Sequence, residues 1–536
     1  MTWPIVLSPR SSLIGDPNVD VWNHAWGPWW WFASLSEGEL PWRTDYLIWP
    51  DGGVLWFIDP ILGLLATPLV PIVGTAMAYN VALVLYVAFA SWAAHRLARA
   101  LGASSPAAWV ASLAFAGSAW MISELHNGIT EAADIGPVAL ALAWGHEATQ
   151  KPTWKAWLLA GLGVGLATIA SPYLGLGTGI ALAVRGLPHI KKAWSGALVA
   201  VAVSTPALTL MKLQMAAEDA IIKHPPDMNQ QLALHNAVDL RTFVQPFGFQ
   251  SVDLSLEGFE HSMYLGIAAL ALALYSRRWK WWPSIIVCIA FALGPYIYVK
   301  EAGILPYRLP WWLVQSFAPG LAMTHPLRLA VPALALVAGL AGLGAHRLTT
   351  RWPRVLPVLL ALVAIDGLVV SGAPWPMERA PAEIPAVYEH IARDLGSERA
   401  VGVLDLPTDA GYTMATSRYL YWQSSHHLPI VYAPDARSST SSLLRTQFFR
   451  ELAGTSERRA DEAMHIITVV PHTRPEWMAQ QAYDVGVRWI VLHRSMAQPE
   501  VEPLLESWMG PGTVVGDEVY WEVPLPREAP QVPGSR

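Results

Sequence analysis

The sequence predicts a mainly α-helical, polytopic transmembrane bundle of about ten spans followed by a small α/β domain. Three observations predict it. Only 14% of the 536 residues are charged and 53% are hydrophobic, and the mean hydropathy of +0.33 does not describe a soluble protein. Apolar segments dominate as far as residue 372 and then give way abruptly to a charged, mixed sequence. Within the apolar part, Lys and Arg gather in alternate short loops, the sidedness that the positive-inside rule gives a multi-pass protein. The formal charge of −6 is small for this length and points away from a nucleic-acid partner. The sole cysteine, Cys288, lies inside an apolar run, so no intrachain disulfide or thiolate metal site is expected.

Taken in order, residues 1–75 read as an outer-face region with interfacial helices, built around GDPNVDVWNHAWGPWWWFASL at 15–35. Trp favours the water–lipid boundary because its ring is apolar while its N–H needs a polar partner. The opening MTWPIVLSPRSS lacks a basic region followed by an apolar stretch and does not read as a signal peptide. Residues 76–372 form the helical core. Spans are read at 76–95, 106–122, 134–147, 157–171, 173–185, 193–211, 262–276, 281–299, 328–346 and 355–372, since roughly 20 apolar residues cross roughly 30 Å of hydrocarbon. Those at 134 and 173 are short, and Ser171-Pro172 reads as a re-entrant bend or a broken helix. GLGVGLA (161–167) and GLGTG (175–179) predict close helix packing rather than phosphate binding.

The loops holding Arg96 and Arg99, Lys151 and Lys155, Arg185, Lys191 and Lys192, Arg277, Arg278 and Lys280, and Arg347, Arg351 and Arg354 are placed in the cytoplasm. Residues 123–133, which have no Lys or Arg, and the long stretch 212–261 face outward, with the N-terminal region and everything after 372 on the same side. An outer N-terminal region needs a span to deliver it, so a first helix ahead of residue 1 is expected. The alternative is that 54–73, with Pro60, Pro68 and Pro71, is itself a span. Residues 373–384 read as a Pro-rich linker, 385–526 as an extracytoplasmic α/β domain and 527–536 as a disordered tail. Strands are expected at 400–407, 487–493 and 519–525, and helices at 384–395, 440–454 and 475–485. His426-His427 reads as a surface or lid feature of that domain.

Polar groups near a membrane are costly to desolvate, and the ones of chemical interest fall on the outer side. They are Asp16 and Asp20; Asp45 and Asp51; Glu124, His126, Asn127 and Glu131 in SELHNGITE; Glu257, Glu260 and His261; and His325 and Arg328 in THPLRL. A carboxylate can act as general base toward an acceptor hydroxyl or hold a divalent metal, while Arg neutralises a phosphate leaving group. Each has a structural alternative. Asp16 precedes Pro17 as an N-cap precedes the first helical residue, Glu124 and His126 can cap a helix end, Arg328 can snorkel, and Glu260 and His261 can be a solvated flank. No P-loop, nucleophile elbow, zinc-protease helix or dinucleotide fingerprint is present.

The order GDPNVDVWNHAWGPWW, LPWRTDYLIWPDGG, AMAYNVALVLY, SELHNG, MYLGIAALALAL and THPLRLAVPALALVAGLAG resembles bacterial multi-pass membrane glycosyltransferases of the GT-C type, including the YfhO-like group. VLDLP, YWQSSHHLPIV and GVRWIVLH continue the likeness through the tail. The resemblance implies transfer of a sugar from a polyprenyl-phosphate-linked donor to a lipid, glycan or protein acceptor, at the extracytoplasmic face of the bacterial inner membrane. It implies Asp16, and with it Asp20, as base or as ligands of a divalent cation such as Mg or Mn. Glu124, His126, Glu260 and His325 would join from later outer loops, and Arg328 would hold the donor phosphate. It also implies a preceding first helix, which this sequence does not contain. The competing reading is a lipid or glycan transporter, or a scaffold subunit of an export complex, working without chemistry. A transporter should carry ionisable groups near mid-span, and the apolar runs hold very few.

Overall fold

The computed structural model describes residues 2–55, 59–221, 233–234, 236–247, 262–317, 323–394, 401–407, 417–431, 446–456 and 475–524. The chain divides into two compact units: residues 1–24, 59–213 and 224–381 form one, and 25–58, 214–223 and 382–536 the other. The first is helical and the second is α/β, as the sequence predicts.

In the helical unit, Thr75–Leu101, Pro172–Met215, Pro326–Arg351 and Pro353–Val370 are long and apolar enough to cross a membrane, and Ser105–Ala116 with Ala119–Asn127 forms a further candidate bent by 41°. The bend falls at Gly117-Ser118, where the Ser118 hydroxyl accepts the Met121 N–H and starts a new helix inside the expected 106–122 span. The stretch Pro172–Met215 contains both spans expected there. Gly175 packs on Thr168, Gly179 on Val164 and Gly186 on Trp157, so Pro172–Gly186 runs antiparallel to Trp154–Ala170. Gly196 meets Trp157 and Val203 meets Gly165, so Ile190–Met215 runs back parallel to it, and the chain reverses at the short turn 187–189. The glycine runs serve this packing. Gly161 lies against the Gly196 carbonyl, and a Cβ on Gly163 would come 2.7 Å from Ala141 Cα.

One expected span ends early. The helix Trp282–Ala292 stops before Gly294, whose φ of +91° no β-carbon residue adopts readily, and Tyr296–Val299 then pairs antiparallel with Gly303–Arg308. The apolar alternation YIYV belongs to a hairpin rather than to the second half of a helix. Residues 54–73 do not make a span either, since Pro60–Ala66 and Val70–Val73 are short separate helices.

The α/β unit holds a four-stranded sheet in the order 402–406, 487–493, 518–522, 513–515, with the first pair parallel and the others antiparallel. Leu404 stands opposite Ile490 and Leu406 opposite Leu492, and helices 447–456, 475–484 and 501–509 cover their apolar side chains. The helix Val21–Ser36 begins in the first unit and continues into this one. Its indoles are packed inside protein rather than left at a lipid boundary. Trp26 donates to Gln423 Oε1 at 2.8 Å and stacks on Trp30, which donates to the Pro41 carbonyl at 3.0 Å. Protein acceptors replace the interfacial water that the sequence reading assigned to these N–H groups.

His426 is likewise a core residue of this unit, stacked at 4.9 Å on Tyr388, whereas its neighbour His427 is exposed. Burial holds the His426 imidazole down to about 4. Burial also lowers His493, but its hydrogen bond to Asp405 and the nearby Glu518 carboxylate outweigh that and raise it. The depressed His426 contributes stability that is lost as pH falls from 6.5 toward about 4, and the raised His493 contributes stability that is lost as pH rises through its folded value. The unfolding midpoint of this unit is therefore expected to peak near neutrality. In a calorimetric pH series, His426→Gln should flatten the acid limb and His493→Gln the alkaline limb; a wild-type midpoint constant across that range would contradict both assignments.

Candidate functional site

The segment SELHNGITE organises the site. Its helix Ala119–Asn127 ends on Gly128, which adopts the left-handed φ of +73° and closes the last turn. Residues 15–21 lie directly on this helix end, because a Cβ on Gly128 would come 2.5 Å from Val21 Cα and one on Gly15 would come 3.2 Å from the His126 carbonyl. Gly128→Ala thus combines backbone strain with a collision and is expected to cost about 2–4 kcal/mol. Thermal unfolding of the detergent-solubilised protein checks this, and an unchanged midpoint would contradict the contact.

That contact sets Asp16 on His126. The Asp16 N–H donates to the His126 carbonyl at 2.9 Å, and Asp16 Oδ2 stands 3.6 Å from His126 Nε2. Asp16 Oδ1 accepts both the Asn18 N–H at 2.7 Å and its side-chain amide at 2.9 Å, a turn-forming bond rather than a helix cap. The position ahead of the helix is taken by Asp20, whose carbonyl accepts from Asn23 and His24 and whose Oδ1 holds the Asn23 amide.

A second group forms around Arg328. This buried guanidinium donates from Nη1 to Glu131 Oε1 at 2.9 Å and lies 5.2 Å from the Tyr173 ring centroid, while its Nε is buried with no hydrogen-bond partner. Glu124, wholly buried, is also within its electrostatic reach. The Tyr173 hydroxyl pairs with Thr324 Oγ1 at 2.8 Å and accepts the N–H groups of Thr324 and His325. His325 is thereby anchored beside Tyr173, with Nδ1 2.7 Å from Thr324 Oγ1. Glu260, with Glu257 and His261, lies outside the described residues.

Several members escaped the sequence reading. Glu131 Oε2 stands 3.9 Å from His24 Nε2, and His24 Nδ1 meets Thr130 Oγ1 at 2.9 Å. Thr130 donates to Asp59 Oδ2 at 2.8 Å, as does Tyr86 at 3.1 Å, while Asp59 Oδ1 takes the N–H groups of Ile61 and Leu62 and caps the short helix 60–66. Asp59-Pro60 was legible as a cap followed by a first-turn proline. His24 was hidden among the tryptophans. Burial pushes the Asp59 carboxyl up, against the lowering hydrogen bonds from Leu62 and Thr130. Burial acts the same way on Glu131, but Arg328 and His24 outweigh it and hold that carboxyl below its usual range.

The donor set does not fit the divalent cation expected at Asp16 and Asp20. Their carboxylates are turned to Asn18, His126 and Asn23, and among the described residues no three His, Cys, Asp or Glu side chains are arranged to hold a metal ion.

No protein-family model matches the sequence, and no curated protein matches it. Solved structures do. ArnT from Cupriavidus metallidurans in the apo state aligns over 96% of this chain and 95% of its own, at 14% identity and a TM-score of 0.50. This is the GT-C fold. Two other GT-C structures align with lower scores: the apo oligosaccharyltransferase of Archaeoglobus fulgidus (11% identity, 95% of this chain and 69% of that one, TM-score 0.47) and the mycobacterial arabinofuranosyltransferase AftD (14%, 97% and 39%, 0.49). The fold brings Glu131 of SELHNGITE and Arg328 of THPLRL together at one end of the helical unit. Asn80 and Arg328 lie at the starts of helices whose far ends carry Arg96, Arg99, Arg347 and Arg351.

Proposed function

We propose that this chain is an integral membrane glycosyltransferase of the bacterial inner membrane, with its C-terminal domain extracytoplasmic. It transfers a hexosyl or pentosyl group from a polyprenyl-phosphate-linked donor to a lipid, glycan or protein acceptor, in the manner of the YfhO-like part of the GT-C group. The observation that carries this reading is the state of Arg328: a buried guanidinium tied to Glu131 through one nitrogen, with Nε left without a partner. Planar N–H donors of this kind suit a phosphate, and a buried unpaired donor is costly unless a ligand fills it.

In the proposed reaction Asp16 takes the proton of the acceptor hydroxyl as that oxygen attacks the anomeric carbon. The bond from that carbon to the phosphate oxygen breaks, and its electron pair leaves with the polyprenyl phosphate. Arg328 balances the charge that develops there, and Glu131 with Tyr173 holds the guanidinium in place. His126 orients Asp16. Glu124, Asp20 and His325 support these groups from their own loops. The test is transfer of labelled sugar from a polyprenyl-phosphate donor in proteoliposomes. Wild-type turnover lost in Asp16→Asn supports the reading, and movement of donor lipid across the bilayer without any sugar transfer overturns it in favour of transport.

A further inference from the structure

At the Lys/Arg-rich end of the helical unit, one cluster has positive charge and, among the described residues, no carboxylate paired with it. Arg96 there is neutralised by Glu147. Arg185, at the end of Pro172–Gly186, is not: its Nε is buried without a partner, and its guanidinium stands 5.7 Å from the centroid of the buried Trp281 ring. The Trp281 N–H donates to His146 Nδ1 at 3.3 Å, and His146 lies within electrostatic reach of both Arg185 and Arg278. Apart from His146, which accepts the Trp281 N–H, the side chains here are donors and cations, and among the described residues neither arginine forms an ion pair. A phosphate is the complementary group.

The surroundings decide where that phosphate comes from. Trp154, Trp194, Trp279 and Trp352, on the neighbouring helix ends, are exposed beside Lys155, Lys192, Lys280 and Arg351. Exposed indoles interleaved with basic residues at the ends of apolar helices mark the headgroup layer of a bilayer. We propose that Arg185 and Arg278 form a binding site for the phosphate headgroup of an anionic phospholipid, with the face of Trp281 holding the Arg185 guanidinium. The site is separate from the one around Asp16 and Arg328 and does not depend on its chemistry.

The experiment measures lipid binding to the full-length protein in detergent, by native mass spectrometry and by the shift in unfolding temperature. The probes are phosphatidylglycerol, phosphatidylcholine and inorganic phosphate. Phosphatidylglycerol is expected to stay bound and to raise the unfolding temperature, phosphatidylcholine and inorganic phosphate are not, and the double variant Arg185→Gln/Arg278→Gln should bind on the order of tenfold more weakly. Arg351→Gln/Arg354→Gln removes the same charge from the same end and should bind as wild type. Equal weakening in both double variants means diffuse attraction and overturns the site. Stabilisation by inorganic phosphate alone overturns the lipid assignment. Should the first double variant not fold, Arg278→Gln, an exposed position, gives the same comparison alone.

Discussion

Replacing Asp16 with Asn is expected to reduce sugar transfer by on the order of a hundredfold or more, the usual contribution of a positioned general base. The fold should survive it. Asn keeps an oxygen for the Asn18 N–H, and the backbone bond from residue 16 to the His126 carbonyl does not involve the side chain. What is lost is the negative charge 3.6 Å from His126 Nε2, and with it the capacity to accept the acceptor's proton. Transfer in proteoliposomes, alongside the unfolding midpoint of the same preparation, separates the two. Full transfer by a folded Asp16→Asn protein would remove Asp16 from the mechanism. His126→Gln should act more mildly and shift the pH dependence of the rate, since it changes the partner of the base rather than the base itself.

Arg328→Ala should have the second large effect, and for two reasons. It removes the guanidinium that faces the leaving phosphate, and it strands Glu131, whose carboxyl is held ionised by Arg328 and His24. Losing one partner of a buried pair costs several kcal/mol when both are fully enclosed; here Arg328 is 7% exposed and Glu131 28%, so the cost should be about half that, with solvent screening the carboxylate. Arg328→Lys is the informative companion. It retains a charge for Glu131 but not the planar donor set, so folding should recover while donor affinity does not. Measured as KM for the polyprenyl-phosphate donor against kcat, Arg328→Lys should raise KM chiefly. A Lys variant with wild-type KM would leave Arg328 a structural residue only. Glu131→Gln tests the same pair from the other side and should weaken folding less, because an amide still accepts from Nη1.

The sequence made the chemistry of these loops visible but not their partnerships. SELHNGITE and THPLRL stood out in the sequence because neither sits in a Lys/Arg-rich loop, and that contrast is a property of composition. Nothing in the spacing says that Arg328 bonds Glu131 rather than Glu124, or that His24, in a run of tryptophans, joins Glu131 to Thr130 and Asp59. The same division runs through the fold. The strands at 402–406 and 487–493 follow from short apolar runs, whereas Tyr296–Val299, the first strand of a hairpin, was read as the end of a helix because its apolar alternation is too short to outweigh the run before it. The indoles of Trp26 and Trp30 were assigned to a lipid boundary because the acceptors that satisfy them, Gln423 and Pro41, come from elsewhere in the chain.

By itself, then, the sequence determined a transmembrane helical bundle with an α/β domain and which of its loops gather positive charge. Each of these depends on the free energy of moving a local stretch of chain between water and hydrocarbon, and a local stretch reveals it. Only the tertiary structure decided that Asp16 rests on His126, that Arg328 pairs with Glu131 beside Tyr173, and that Arg185 leaves a buried Nε without a partner over Trp281. Those outcomes turn on close approaches such as Gly128 against Val21 and Gly163 against Ala141, where the absence of a single β-carbon fixes which distant side chains can meet.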